Sequence, residues 1–277
     1  MSSRVDLHIH TYCSDGEFSP EEIIQRSAGL GLRTIAVADH DTLGGVPLAL
    51  DAARRIGLEC IPGVEVSCEL AEGEAHLLGY FVRVGEETSL SEMLAQFRAS
   101  RVERARRMAE RLARLGMPLE WSDVEVLANS ESIGRPHVAQ AMVRQGYVAT
   151  VAEAFEHYLH RDGPAHVPRF KVTPEEAMRL IHEAGGVAVL AHPLGIVDVI
   201  GWLAGKGLDG LEAYYPDYSP EVSEQLAAIS QRYGMIATGG SDYHGPTVSP
   251  GVEIGCVDVP EEVVAALVER RQSLHRT

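Results

Sequence analysis

Short runs of β-branched and aliphatic residues alternate along this chain with stretches whose apolar positions recur every three to four residues. The runs predict strands at Val5–Thr11, Thr34–Asp39, Glu59–Val66, His76–Val82, Val187–Ala191, Gly210–Tyr215 and Met235–Gly239. Helices fill most of the gaps. Ser19-Pro20-Glu21-Glu22 opens one with a capping serine, a proline in the first turn and two acids; Thr173-Pro174-Glu175-Glu176 and Ser219-Pro220-Glu221 repeat the signature. Gly31, Gly57, Gly185 and Gly234 stand where those helices should stop. Alternating strands and helices of this kind imply a parallel sheet, open or closed.

Two stretches depart from the alternation. The third and fourth strands are joined by only about ten residues, and Cys68 to Ala75, with Gly73, reads as turn. A parallel crossover needs a dozen residues or more, so this pair is expected to be a hairpin, with the start of the fourth strand beside the end of the third. The second departure, residues 89–171, has no strand signal. Leu94, Phe97, Val102, Ala105, Met108, Leu112 and Leu115 form an apolar helical face, and further helices fit Arg135–Gln145 and Thr150–Leu159. This stretch is expected to be an all-α insertion, leaving 1–88 and 172–277 as one discontinuous α/β domain. Arg101, Arg104, Arg107, Arg111 and Arg114 read as the solvated face of the first of its helices.

The strand ends carry the chemistry. In Asp6-Leu7-His8-Ile9-His10, strand alternation sends Asp6, His8 and His10 to one face and Leu7 and Ile9 to the other. Two histidines two apart can bind one ion, and Asp6 could orient a ring from behind. Asp15 follows in the next loop, His40 and Glu65 end the second and third strands, and His76 begins the fourth, which the hairpin sets beside Glu65. His192 ends the fifth strand; Asp242 and His244, two apart and so on one face, end the seventh. The carboxyl ends of strands are where α/β folds hold their ligands. Six histidines and three carboxylates gathered there would be prohibitively costly without cations. Nitrogen and oxygen donors suit zinc, manganese or iron rather than a thiolate site. Nine donors exceed what one or two ions use with positions left open, so three ions bridged by Glu65 fit better.

Composition narrows the partners. With 24 basic and 40 acidic residues the net charge is −16, unlike a protein that grips long nucleic acid through its phosphates. A phosphate-bearing substrate must therefore be captured locally. Neither a leader segment nor an apolar run of about 18 residues is apparent, so cytoplasm is the default expectation and a membrane is not expected. Cys13, Cys60, Cys68 and Cys256 show no CxxC pairing and are expected to be reduced; Cys13, among the ligands, is read as a packed residue. A GxSxG elbow and a cysteine-phosphatase loop are missing, which removes nucleophilic-serine and -cysteine hydrolysis.

The DxHxH start, xDH, GxE, AHP and SDxH segments resemble the polymerase and histidinol phosphatase (PHP) family over nearly the whole chain. That resemblance implies a distorted seven-stranded (β/α)7 barrel carrying the all-α insertion, and phosphoester hydrolysis at two or three divalent metal ions (Mn, Fe or Zn). It implies a first ion on His8, His10, Glu65 and Asp242, a second on Glu65, His76 and His192, and a third on Asp15, His40 and His244. The catalytic centre would be built on His8, His10, Glu65, Asp242 and His244. Ile133-Gly134-Arg135-Pro136-His137 and Tyr158-Leu159…Gly163-Pro164-Ala165 resemble the subgroup acting on nucleoside 3′,5′-bisphosphates and the 5′ ends of short RNAs, in which Arg135 and His137 would bind substrate phosphate. The partner implied is a small phosphorylated nucleotide or short oligonucleotide. Histidinol-phosphate phosphatase and a metal-binding regulatory domain without turnover are the alternatives; the insertion weighs against the first and the complete ligand set against the second. Arg169 and Lys171, where the chain re-enters the barrel, carry no firm signal for substrate contact, and His157, His160, His166, His182 and His275 read as ordinary helix or loop histidines.

Overall fold

The computed structural model describes residues 4–128, 133–160, 163–168, 170 and 172–276. Arg169 and Lys171 lie outside the described residues. The chain divides into two compact units, Met1–Glu92 with Lys171–Thr277, and Met93–Phe170. The strands are β1 (Val5–Ile9), β2 (Thr34–Val37), β3 (Glu59–Glu69), β4 (Glu74–Tyr80), β5 (Val187–Leu190), β6 (Gly210–Tyr214) and β7 (Ile236–Gly239). The α-helices are α1 (Pro20–Gly29), α2 (Val46–Ile56), α3 (Ser89–Arg114), α4 (Trp121–Ala128), α5 (Arg135–Arg144), α6 (Val151–Ala154), α7 (Pro174–Glu183), α8 (Ile200–Ala204), α9 (Pro220–Arg232) and α10 (Glu262–Leu274).

The seven strands form one sheet in sequence order. β1, β2 and β3 run parallel, as do β5, β6 and β7, while β4 is antiparallel to both of its neighbours. Beyond β7 the chain returns to β1: Ile9 bridges Tyr243 in parallel, and the His10 N–H donates to the Tyr243 carbonyl at 3.0 Å. The sheet thus nearly closes, which is the distorted seven-stranded α/β barrel expected.

Helix starts and stops follow local chemistry. Ser19 Oγ accepts from the Glu22 N–H at 3.2 Å while the Glu22 carboxylate accepts from the Ser19 N–H at 2.9 Å, closing a capping box on α1. Thr173 and Ser219 cap α7 and α9 through their hydroxyls. Gly57 ends α2 at φ +75°, where a side chain would be strained.

Most strand limits fall within two residues of expectation; β3 is the exception. It pairs with β2 only from Glu59 to Pro62, then with β4 from Gly63 to Glu69. The hairpin partner therefore extends β3 past the point where parallel pairing ends. Glu65 sits inside the strand rather than at its end, and the turn shrinks from the expected Cys68–Ala75 to Leu70–Gly73, where the Leu70 N–H meets the Gly73 carbonyl at 3.2 Å.

Asp6 fastens the closure. Its fully buried carboxylate accepts from the backbone N–H groups of Ser241 at 2.9 Å, Gly255 at 2.8 Å and His8 at 3.3 Å. The expectation that Asp6 orients a histidine ring is thereby corrected: its oxygens are taken up by peptide donors, Ser241 and Gly255 from beyond β7 and His8 from β1. The approach is close enough that a Cβ on Gly240 would lie 2.5 Å from the His8 backbone nitrogen. Asp6→Ala is expected to orphan two well-bonded buried donors, a loss of about 2–5 kcal/mol. Calorimetry should then show Tm lower by about 4–20 °C, at about 2–4 °C per kcal/mol; a fall under about 1 °C would show that the carboxylate is dispensable for closure.

In the second unit α3, α4, α5 and α6, with a π turn at Phe155–Leu159, enclose a separate core that includes Met108, Leu112, Val124, Val138 and Met142. The short α4 was not legible in the sequence pattern, and Leu115, expected on the apolar face of α3, lies beyond its end and is exposed. Several arginines of α3 are engaged within the unit rather than merely solvated. Arg104 and Arg111 donate to the carbonyls of Val167 and His166, and Arg106 stacks over Trp121. Among the described residues, no helix is long and apolar enough to cross a membrane.

Candidate metal centre

The simple alternation expected of β1 is broken by a register shift between Asp6 and Ile9: Leu7 joins one apolar cluster and Ile9 another, Asp6 turns to the backbone of Ser241 and Gly255, and His8 and His10 meet on the polar side. All nine predicted ligands converge in the first unit. His8 Nε2 and His10 Nε2 are 3.1 Å apart. Glu65 Oε2 lies 3.4 and 3.3 Å from them, and Asp242 Oδ1 lies 3.2 and 3.0 Å from them. Four donors at bond lengths of about 2.0–2.1 Å around one ion would stand about 3.3 Å from each other if tetrahedral. The observed separations are of that size.

The other donors extend from this group. Glu65 Oε1 is 2.9 Å from His76 Nδ1 and 3.1 Å from His192 Nε2, and Glu65 Oε2 is 2.8 Å from His40 Nδ1. The His40 ring reaches Asp15 with its other nitrogen, at 3.7 Å, and His244 Nε2 is 3.4 Å from Asp15. Three groups of donors close enough to share an ion result: His8, His10, Glu65 and Asp242; His40, Glu65 and His76; and His10, Asp15, His40 and His244. His40 belongs to two of them, which the sequence did not anticipate. His76 reaches Glu65 diagonally across the hairpin, since its direct partner is Ser67.

Backbone strain aims two ligands. Asp242 has φ +51° and His192 has φ +29°, both left-handed and costly for a side-chain-bearing residue. Asp242 therefore does not sit beside His244 through strand alternation as expected; β7 ends at Gly239, and the turn delivers it.

Burial and charge indicate cations. Burial alone would raise the Glu65 carboxyl, but His40, His76, His8 and His192 around it hold it well below the usual carboxylate range. Burial opposes charging of His8, yet Asp242, Glu212 and Glu65 push its imidazole well above its ordinary value. Burial, with His244 and His40 nearby, lowers His10 to about 3. His40, against burial, is pushed up to about 9 by Glu65 and Asp15. The buried atoms Glu65 Oε2, Asp242 Oδ1 and His40 Nδ1 lack a hydrogen-bond partner of good geometry although they lie within about 3 Å of other donors and acceptors. Atoms that crowd together without hydrogen bonding are arranged for something between them, and the set of imidazole nitrogens and carboxylate oxygens fits divalent metal ions.

Supporting residues absent from the sequence reading surround these groups. Buried Asp39 accepts from the Thr11 N–H, Thr11 Oγ1 and Ser14 Oγ, each at 2.7 Å, and so shapes the loop that carries Asp15; burial lifts its carboxyl to about 6. Tyr215 donates to Asp242 Oδ2 at 2.9 Å. Glu212 contacts both His8 and the backbone of His192. The signal for Glu212 was a carboxylate inside the apolar run of β6. Cys13 is half-buried, and the four cysteines form no disulfide.

Arg135 and His137 belong to the second unit. Gly134 caps α5, His137 Nδ1 accepts the Gly134 N–H at 3.0 Å, and the Arg135 guanidinium lies 5.7 Å from the centre of the Phe155 ring. Of the histidines read as ordinary, His182 pairs with buried Asp209 at 2.7 Å, and His275 meets the Gly185 carbonyl at 3.2 Å.

Known proteins give the centre its context. Residues 6–236 match the PHP domain. The chain is 36% identical over 264 residues to the 5′-3′ exoribonuclease Rnm of Salmonella typhimurium, covering 90% of this chain and 87% of that one. It is 33% identical over 257 residues to the 3′,5′-nucleoside bisphosphate phosphatase of Chromobacterium violaceum, covering 88% of each. A crystal structure from Bifidobacterium adolescentis, described as a metal-dependent phosphoesterase, superposes with a TM-score of 0.83 at 32% identity over 96% of both chains. With its barrel, its donor groups and this similarity along nearly its full length, the chain belongs to the PHP-domain family of metal-dependent phosphoesterases.

Proposed function

We propose that the chain hydrolyses nucleoside 3′,5′-bisphosphates or removes nucleotides from the 5′ ends of short RNAs, at a centre of two or three divalent ions. The observation that carries the reading is that eight nitrogen- and oxygen-bearing side chains, Glu65 among them, form three overlapping donor groups, with His192 meeting Glu65 beside them and with buried polar atoms that no hydrogen bond accounts for. The substrate class rests on likeness to an exoribonuclease and a bisphosphate phosphatase. Histidinol phosphate is not favoured as the substrate.

In this reading His8, His10, Glu65 and Asp242 hold one ion, Glu65, His76 and His192 a second, and Asp15, His40 and His244 a third. The chemistry supplied by the bound ions is activation of water for in-line attack on phosphorus and neutralisation of charge on the non-bridging oxygens. The chain's own groups set the stage. Glu65 would be shared between ions, and its two oxygens already lie beside His8, His10 and His40 on one side and His76 and His192 on the other. Tyr215 fixes the Asp242 carboxylate by donating to the oxygen that faces away from the histidines. Donors are fully buried at the His8 and His10 end and increasingly exposed toward His192 and Asp15, so substrate enters from the latter side. The 89–171 insertion supplies Arg135 and His137 to bind substrate phosphate through charge-assisted hydrogen bonds.

Elemental analysis of protein purified without chelators is expected to find two or three transition-metal ions per chain. The same preparation, screened against bisphosphate nucleotides, histidinol phosphate and 5′-phosphorylated oligoribonucleotides, should turn over the first or last class. Full activity with less than one ion per chain would refute the metal reading, and preference for histidinol phosphate would refute the substrate.

A further inference from the structure

Glu212 is the one carboxylate in the apolar strand β6, Gly210-Leu211-Glu212-Ala213-Tyr214, and it is fully buried. An anion so placed needs compensation. Its Oε1 is 2.9 Å from His8 Nδ1, and its Oε2 accepts the His192 N–H at 2.8 Å. The far nitrogen of His8 faces Glu65 and Asp242, while the His192 ring meets Glu65 at 3.1 Å. His192 does so from a left-handed backbone, φ +29° and ψ +58°, that a side-chain-bearing residue keeps only under constraint.

We propose that Glu212 is a positioning residue for two ligands at once: it holds the proton of His8 on Nδ1, leaving the Nε2 lone pair for a metal ion, and it pins the His192 backbone so that this ring reaches Glu65. A carboxylate can do both because each oxygen accepts. An amide cannot. In Glu212→Gln, if the amide oxygen accepted from the His192 N–H, the NH2 would face His8 Nδ1 and favour the tautomer with a proton on Nε2, pointing into the metal group. In the opposite orientation the NH2 would confront the His192 N–H and release that residue from its strained conformation. Either way one ligand group is damaged while the other survives.

The inference rests on the metal reading of the cluster, and calorimetric titration of the chelator-stripped full chain with Zn2+ alone separates the two. Glu212→Gln is expected to weaken at least one Zn2+-binding step by about 10–100-fold, the range for groups that orient metal ligands. Glu212→Asp, which keeps two acceptor oxygens on a shorter arm, should recover part of that loss. Unchanged Zn2+ stoichiometry and affinity in Glu212→Gln, even with a lowered Tm, would overturn the proposal and leave Glu212 a structural residue. A wild-type chain that binds no Zn2+ would overturn the metal reading and this inference with it. Long-range 1H–15N spectra of the zinc-loaded wild type need no variant to fold: they should show His8 protonated at Nδ1, and a proton at Nε2 overturns the proposal.

Discussion

Glu65→Ala is expected to lower turnover by more than about 100-fold and to lower the metal content of the purified protein. Groups that only orient a ligand typically account for about 10–100-fold, whereas Glu65 places one oxygen within 3.4 Å of His8, His10 and His40 and the other within 3.1 Å of His76 and His192. Removing it takes the shared donor from two of the three candidate ion groups. It also leaves several imidazoles facing one another without their common counter-charge, and deleting one member of a buried charge pair costs about 3–5 kcal/mol. Loss of activity through unfolding must therefore be separated from loss of metal. Glu65→Gln serves that purpose, since it keeps the volume and one acceptor oxygen while removing the charge. The expected outcome is a folded Glu65→Gln protein, by circular dichroism, with fewer ions per chain by elemental analysis and turnover reduced on every substrate alike. A Glu65→Ala protein that kept more than a tenth of wild-type turnover would show that the cluster is not organised around this residue.

The barrel was legible because its strands are short, mostly buried runs rich in β-branched and aliphatic residues, while capping serines, threonines and glycines mark the helices between them. The nine candidate ligands stood out because they are imidazoles and carboxylates in or close to such runs. What the sequence hid is of two kinds. Pairing partners are invisible locally: β3 lengthened because β4 pairs with it from Gly63 to Glu69, which moved Glu65 from a strand end to a strand interior, where it also bridges His40 in parallel. Backbone reversals are equally invisible. Asp242 reaches the His8 group from a left-handed turn, so its position follows from strain rather than from alternation. Asp39, just beyond β2, and Glu212, inside β6, were hidden for a related reason: the meaning of each carboxylate depends on groups far away in the chain, such as Thr11 for Asp39 and His8 for Glu212.

Arg135→Ala is expected to keep its metal ions and to lose about 10- to 150-fold in kcat/KM on a nucleoside 3′,5′-bisphosphate, with far less change on p-nitrophenyl phosphate. The range follows from a charged hydrogen bond worth about 1.5–3 kcal/mol, at about 1.4 kcal/mol per decade of rate. The selectivity follows from the substrates: the bisphosphate carries a second phosphate, and the generic ester offers a guanidinium nothing equivalent. Arg135 suits the experiment better than His137. His137 Nδ1 accepts the Gly134 N–H at the start of α5, so replacing it disturbs a helix cap together with any substrate contact. Arg135, partly buried, lies 5.7 Å from the centre of the Phe155 ring, so circular dichroism of the variant should accompany the kinetics. Metal content of the variant should equal that of the wild type, because the donor groups belong to the barrel unit and Arg135 to the helical one. Equal losses on both substrates would mean that Arg135 stabilises the phosphoryl group being transferred rather than the second phosphate. Wild-type rates on both would remove Arg135 from substrate binding, and the bisphosphate reading would then have to be carried by turnover alone.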